Sequence, residues 1–286
     1  MSTSTQTVTD DLRRWIIAQA EAGCRPEDVI AAMMKSGWQE ATALTALETT
    51  LRERLDAVAA ARLAIPPGVT VPEPALASAP AVLLAGGREV QVLTTMRSPR
   101  VVVFGGLLSD AECDALCELS RPRLARSETV DNATGGSEVN AARTSDGMFF
   151  ERGETPLIDS IERRIAELLN WPLENGEGLQ ILRYRPGAEY RPHHDYFDPA
   201  HPGTGTILKR GGQRVGTVVM YLNTPLAGGA TTFPDVGLEV APVRGNAVFF
   251  SYDRAHVSTR TLHGGAPVMA GEKWVATKWL REGVFT

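Results

Sequence analysis

Between Leu63 and Ala81 the chain reads LAIPPGVTVPEPALASAPA, five prolines in nineteen residues. Each proline holds φ at about −65° and removes a backbone N–H, so neither a continuous helix nor an interior strand passes through this tract. Proline at this density favours extended polyproline II geometry. The expectation is a semi-rigid linker over 63–85 that separates an N-terminal part, 1–62, from a larger part, 86–286. A chain beginning near Ala81 would then fold by itself.

The two parts are patterned differently. Upstream, Asp10 or Asp11 can cap a first helix carrying Leu12, Trp15, Ile16 and Ala20 at helical spacing, with Gly23 after it. Pro26 opens a second, PEDVIAAMMKSG, with acidic residues in its first turn. A third runs from about Gln39 to Ala61, with Ala43, Leu44, Leu47, Leu51 and Leu55 as its apolar stripe. Three such helices predict a small bundle. Downstream, strand-like runs dominate: EVQVLTTM, RVVVFGG, LQILRYR, GTVVMYLN, LEVAP, NAVFFS and KWVATKWL, punctuated by Gly, Pro and Asn. Two helical segments interrupt them, SDAECDALCELS and TPLIDSIERRIAELLNW. The pattern is mainly β with supporting helices, a sandwich or jelly roll braced on one side.

Composition excludes several classes. The formal net charge is −5, so no broad basic surface makes nucleic acid a default partner. No apolar run approaches the roughly 20 residues that cross a bilayer. The start, MSTSTQTVTDDLRRW, lacks a basic stretch followed by an apolar one, so no secretory leader is expected. Cys24, Cys113 and Cys117 show no disulfide framework, and Cys113 and Cys117 read as small apolar residues near a core. A reducing, cytoplasmic setting without a membrane is the expectation.

The chemistry centres on YRPHHDYFDP, residues 190–199. Residues two apart on a strand point together, so His193 and Asp195 share a face while His194 looks the other way. An imidazole and a carboxylate aimed at one point are two ligands of a facial triad, which a second histidine would complete. Five histidines exist. His201 sits in a glycine-rich loop, His256 in SYDRAHVS between strands, and His263 directly before the last strand, where a jelly roll can bring the chain back beside an earlier strand. That geometry favours His263, though spacing alone does not separate the three.

The run HGGAPVMAGEKWVATKWLRE, together with YRPGAEYRPHHDYF, resembles the iron(II)- and 2-oxoglutarate-dependent prolyl 4-hydroxylase family over roughly residues 98 to 283. The family pattern Y-x-x-G-x-x-Y-x-x-H-x-D is met by Tyr184, Gly187, Tyr190, His193 and Asp195. The distal histidine matches His263, and the lysine ten residues on matches Lys273. G-G-x-T-x-F-P matches Gly228, Gly229, Thr231, Phe233 and Pro234, and an upstream R-x-S element matches Arg143 and Ser145. Gly264 and Ala266 depart from relatives, which often carry Ala and Cys there.

The resemblance implies a double-stranded β-helix. It implies Fe(II) on His193, Asp195 and His263, and the far carboxylate of 2-oxoglutarate on Lys273, with Tyr184 and Thr231 adding hydroxyl donors and Trp279 lining the site. Arg143, Ser145 and Tyr190 would face the substrate, and ascorbate would re-reduce idle iron. The reaction would consume O2, decarboxylate 2-oxoglutarate to succinate and CO2, and hydroxylate a C–H bond, peptidyl proline in a peptide or protein being favoured. Asp195 argues for hydroxylation, since related halogenases carry a small residue there. The alternatives are the same chemistry on a free amino acid or other small molecule, and an idle barrel that binds a partner. The N-terminal part is similar to ubiquitin-associated-like three-helix folds in size and in the Gly37-Trp38 turn before an alanine-rich helix. That likeness implies a protein partner, and a packing or dimerisation appendage is the competing reading.

Two further expectations concern surroundings. VDNATGGSEVNAART and DPAHPGTGTILKRGGQR are rich in turn residues and flank the site elements, so both read as loops that close over it. Alternation along KWVATKWL puts Lys273, Val275, Thr277 and Trp279 on one face, leaving Lys278 exposed or on the opposite face and tolerant of alanine.

Overall fold

The structure, a computed structural model, describes residues 6–63, 65–127, 129–130, 136–138 and 143–286. It divides into two compact units, Met1–Ile65 and Pro66–Thr286.

The first unit contains α1 (Asp10–Glu21), α2 (Pro26–Lys35) and α3 (Glu40–Leu63). Thr9, rather than Asp10 or Asp11, is the N-cap of α1, its hydroxyl accepting from Leu12 N at 3.3 Å while the two aspartates occupy the first turn. Ile16, Val29, Met33, Ala43, Ala46 and Leu47 form the core. The stripe on α3 differs from the leucine-based reading, because Leu44 and Leu55 are 45% and 69% exposed. At 3.6 residues per turn those two lie about 100° and 120° around the helix from Ala43, whereas Ala46, Leu47 and Thr50 stay near its face. Small alanines at the contact let the helices approach, and this outweighs leucine hydrophobicity.

The second unit begins inside the proline-rich tract, so residues 66–85 are not a free linker. Val69 N donates to Asp253 O (2.8 Å), Glu73 N donates to Leu169 O (2.9 Å), and Glu73 pairs with Arg100. Pro72 and Pro74 are buried. Gly216 makes room for the strap, since a Cβ there would lie 3.1 Å from Pro72 Cγ. A stiff extended segment loses little entropy on docking, so the same rigidity that suits a spacer suits a strap.

Nine strands make the main sheet. In chain order they are β1 (Val82–Ala85), β2 (Arg88–Met96), β3 (Arg100–Gly105), β4 (Ala125–Arg126), β5 (Asp146–Phe150), β6 (Leu179–Tyr184), β8 (Arg214–Tyr221), β11 (Ala247–Ser251) and β13 (Lys273–Arg281). They lie in the order β1-β2-β3-β11-β8-β13-β6-β5-β4. Four strands make the facing sheet, ordered β10 (Leu238–Val240), β9 (Thr231–Phe233), β12 (His263–Gly265) and β7 (Tyr190–His193). All of these pairings are antiparallel. The result is the expected jelly-roll catalytic fold, a double-stranded β-helix.

The period of two decides the cores. Val101, Val103, Val248, Phe250 and Val275 point between the sheets, while Val102, Phe104, Phe249, Trp274 and Ala276 point the other way. That second face is covered by α4 (Asp110–Ser120) and α5 (Pro156–Leu168), which present Cys113, Leu116, Ile158, Ile161, Ile165 and Leu168. Ser109 and Glu112 form a capping box at the start of α4. Burial pushes the Cys113 and Cys117 thiols up to about 11, as suits apolar packing residues. Among the described residues no helix is long and apolar enough to cross a membrane.

Candidate metal and cosubstrate site

His193 ends β7 and His263 begins β12, and the two stand opposite each other in the antiparallel register. Asp195 lies two residues past the end of β7 and turns its carboxylate between them: Oδ1 is 3.4 Å from His193 Nε2 and Oδ2 is 3.5 Å from His263 Nε2. One ligand atom from each residue falls within 4.8 Å of the others, the one such cluster among the described residues.

Both rings are set for that role. His193 Nδ1 is 2.9 Å from Arg191 O and His263 Nδ1 is 3.0 Å from Thr261 O. A carbonyl only accepts, so each Nδ1 carries the proton and each Nε2 keeps its lone pair for a cation. Burial lowers His263 to about 4, against the pull of Asp195, so the ring is neutral near pH 7. Burial alone would raise Asp195, but His263, His193 and Arg214 outweigh it and hold the carboxyl well below its usual range. Thr217 Oγ1 donates to Asp195 Oδ2 (2.7 Å) and in turn accepts from the Tyr252 hydroxyl (3.0 Å), which orients the carboxylate. His194 faces away and stacks on Tyr196, and His256 instead caps a turn by accepting from Ser258 N (3.1 Å).

The same cavity reaches Tyr184, Thr231 and Lys273. Lys273 opens β13 opposite Tyr184 in the register. Its ammonium lies 5.5 and 5.9 Å from the Tyr184 and Tyr221 ring centres, and no carboxylate among the described residues pairs with it. Burial alone lowers this lysine to about 8. The glycine pair of the GGxTxF segment explains how so long a side chain fits: at Gly229, φ is +75° and a Cβ would lie 3.0 Å from Lys273 Cδ. Tyr221 donates to Thr231 Oγ1 (2.8 Å), which leaves the threonine O–H free to donate into the cavity.

At the rim, Arg143 Nη2 donates to Gln180 Oε1 (2.7 Å), its guanidinium lies 5.1 Å from the Tyr190 ring, and the two residues share a β-bridge. Trp279 turns a buried Nε1 that has no partner among the described residues, and Arg214 stacks on its face at 4.0 Å. Ser145 departs from expectation. It is fully buried behind Arg143, donating to Ser127 Oγ (2.9 Å), and does not line the cavity.

The family model of the 2OG-Fe(II) oxygenase superfamily matches residues 179–281, the stretch from β6 to β13. Prolyl 4-hydroxylase 1 of Arabidopsis thaliana is 43% identical over 203 residues, covering 65% of this chain and 70% of the relative. The chain belongs to the prolyl 4-hydroxylase-like 2OG-Fe(II) oxygenases. Prolyl 4-hydroxylase 5 of the same plant is 39% identical over 215 residues, covering 68% and 72%. A solved viral collagen prolyl hydroxylase from Paramecium bursaria Chlorella virus-1, in complex with 2OG, is 31% identical with a TM-score of 0.49, covering 63% of this chain and 95% of that one. As a member of this family the chain is an Fe(II)- and 2-oxoglutarate-dependent dioxygenase, and its residues fit both groups. Two imidazoles that turn Nε2 to one point and a carboxylate suit Fe(II) with open positions, and the buried ammonium, with no carboxylate beside it among the described residues, suits a carboxylate of the cosubstrate.

Several supporting residues carried no motif. Thr217, Val219 and Tyr221 alternate along β8 with their side chains toward Asp195, the cavity and Thr231. Period two along GTVVMYLN places them on one face but not what they touch. Arg214 donates to Glu177 twice (2.6 and 2.9 Å), and Arg281 donates to the same carboxylate (2.6 Å). These contacts join residues far apart in the chain.

Of the two expected lids, residues 131–135 and 139–142 of the first lie outside the described residues. The second is tied at its ends. The Gln213 amide donates to Phe197 O and accepts from Phe197 N, each at 2.8 Å, and Thr204 donates to Asp198 O (2.6 Å).

Proposed function

We propose that this dioxygenase hydroxylates proline in a peptide or protein substrate, with iron(II) on His193 Nε2, His263 Nε2 and the Asp195 carboxylate. One observation carries the reading: a single cavity joins three converging ligand groups to an ammonium that has no anion of its own among the described residues. Bound together, iron(II), 2-oxoglutarate and O2 supply the oxidising power for an unactivated C–H bond, with succinate and CO2 as coproducts.

The protein's part is positional. Lys273 receives the distal carboxylate of 2-oxoglutarate in a charge-assisted hydrogen bond, and Thr231 and Tyr184 offer it hydroxyl donors. The Thr217 bond keeps one carboxylate face of Asp195 turned to the cation. Arg143, Tyr190 and Trp279 form an aromatic and cationic rim that suits an extended proline-containing chain. The names of the relatives support proline as the oxidised residue. Ascorbate serves to return iron to Fe(II) after turnovers without substrate. Three free thiols accord with a reducing compartment, the cytoplasm in this reading. The N-terminal helices, with Met34, Leu44 and Leu55 exposed, suit a protein-binding appendage.

The test is mass spectrometry of proline-containing peptides, with free proline beside them, under iron(II) and 2-oxoglutarate, with succinate measured in parallel. Peptides should gain one oxygen. Oxidation of free proline alone would move the reading to an amino acid, and absence of succinate would leave an idle barrel.

A further inference from the structure

The chain carries its own proline-rich segment, and the five prolines there are not equivalent. Pro72 and Pro74 are buried and Pro66 and Pro80 half-buried, while Pro67 is exposed. Around Pro67 the backbone is irregular from Ile65 to Glu73, with no helix or strand. Pro66 and Pro67 have no N–H to give to the protein surface. Two hydrogen bonds pin the neighbourhood: Arg254 Nη1 donates to Pro66 O (3.0 Å), and Val69 N donates to Asp253 O (2.8 Å). Gly68 lies flat on the Asp253–Arg254 ion pair, where a Cβ would approach Asp253 Oδ2 to 2.5 Å. Pro67 is thus held at the surface by few bonds, in a stretch whose composition favours polyproline II. That is the form which aromatic-lined grooves take up at low entropic cost.

Resting on the reading of the site as a peptidyl-proline hydroxylase, we propose that Pro67 is itself a substrate of this activity, presented by one copy of the chain to the cavity of another. The balance is that of the catalysed reaction. One atom of O2 enters the new carboxylate of succinate as 2-oxoglutarate loses CO2, and the other is inserted into a ring C–H bond of Pro67 to give C–O–H. No further oxidant or reductant is needed. Pro72, packed against Gly216 of the sheet, and the buried Pro74 stay unmodified in the folded chain.

The experiment uses full-length protein. An isotopically labelled Asp195→Ala chain, unable to turn over, is mixed with unlabelled wild type, iron(II), 2-oxoglutarate, ascorbate and air. A synthetic peptide of Ile65–Ala81 and a second, unrelated proline-rich peptide are run alongside. Trypsin releases Leu63–Arg88 from the labelled chain, and fragmentation locates any added oxygen. The expected result is one oxygen on labelled Pro67, dependent on wild type and 2-oxoglutarate. Pro72 and Pro74 should be unchanged, and the signal should disappear in a labelled Asp195→Ala/Pro67→Ala chain. If the unrelated peptide is hydroxylated while labelled Pro67 is not, the proposal falls and the hydroxylase reading stands. If neither is hydroxylated while 2-oxoglutarate is decarboxylated, both fall together.

Discussion

Lys273 and Lys278 lie five residues apart on β13, both buried, and their surroundings are opposite. Lys273 points between the sheets into the cavity and has no anionic partner among the described residues, so burial alone acts on it and lowers it to about 8. Lys278 points to the helix side, where it and Glu162 of α5 are each 2% exposed and form an ion pair, with a second hydrogen bond to Glu177 O. Of the two expected settings for Lys278, exposed or on the opposite face, the second holds, and the buried pair with Glu162 argues against tolerance of alanine. Alternation gives direction, not solvent, and β13 is buried on both faces. A buried cation with its partner built in belongs to the fold, whereas one without a partner is held for a ligand.

The largest effect should come from breaking the built-in pair. Lys278→Ala leaves Glu162 buried and unpaired, and chemical denaturation should register a loss of about 3–5 kcal/mol. A Lys278→Met/Glu162→Leu chain should recover most of it. If Lys278→Ala unfolds like wild type, the contrast between the two lysines fails.

Lys273→Ala should do the reverse, leaving or raising stability in the absence of cosubstrate while weakening 2-oxoglutarate. A charge-assisted bond contributes about 1.5–3 kcal/mol, roughly a ten- to hundredfold rise in KM. Lys273→Arg should rescue only in part, because a planar guanidinium must enter a cleft shaped by Gly229 around a slender stem. Steady-state kinetics paired with thermal unfolding separates the two readouts.

Thr217→Val tests the metal end independently. Removing the bond to Asp195 should weaken iron(II) binding about 10–100-fold, read by metal titration. Lys273→Ala should leave that titration unchanged, and so should His194→Ala, whose ring is turned away.

The pH dependence is smaller still. Because folded Lys273 titrates at about 8, it is charged below that pH, and 2-oxoglutarate affinity should fall about tenfold per unit above it. Between about 8 and the ordinary 10.5, the unfolded chain holds a proton the folded one has released. Stability from this group therefore rises with pH over that window and is lost as pH falls through about 8. Calorimetric titration from pH 7 to 9.5 checks the first, and Lys273→Ala should flatten it.

Local chemistry in the sequence was enough for much of this protein. The resemblance to the family's motifs marked His263 and Lys273, while period-two runs made a β fold, helical spacing made the N-terminal bundle, and strand alternation turned His193 and Asp195 toward one point. The local signals among these are legible because they depend on residues near one another in the chain, where backbone geometry alone sets which side chains point together. The tertiary structure decided the rest. The proline tract could have spanned solvent or lain on a sheet, and only the groove at Gly216 and the carbonyl of Asp253 made it a strap. Lys278 meets Glu162 from 116 residues away, and Thr217 reaches Asp195 from a strand whose pattern is that of any buried strand. Ser145 matched a motif, yet packing placed it behind Arg143. Whether a buried polar group has a partner depends on which distant strands and helices the fold brings against it, and no spacing along the chain contains that information.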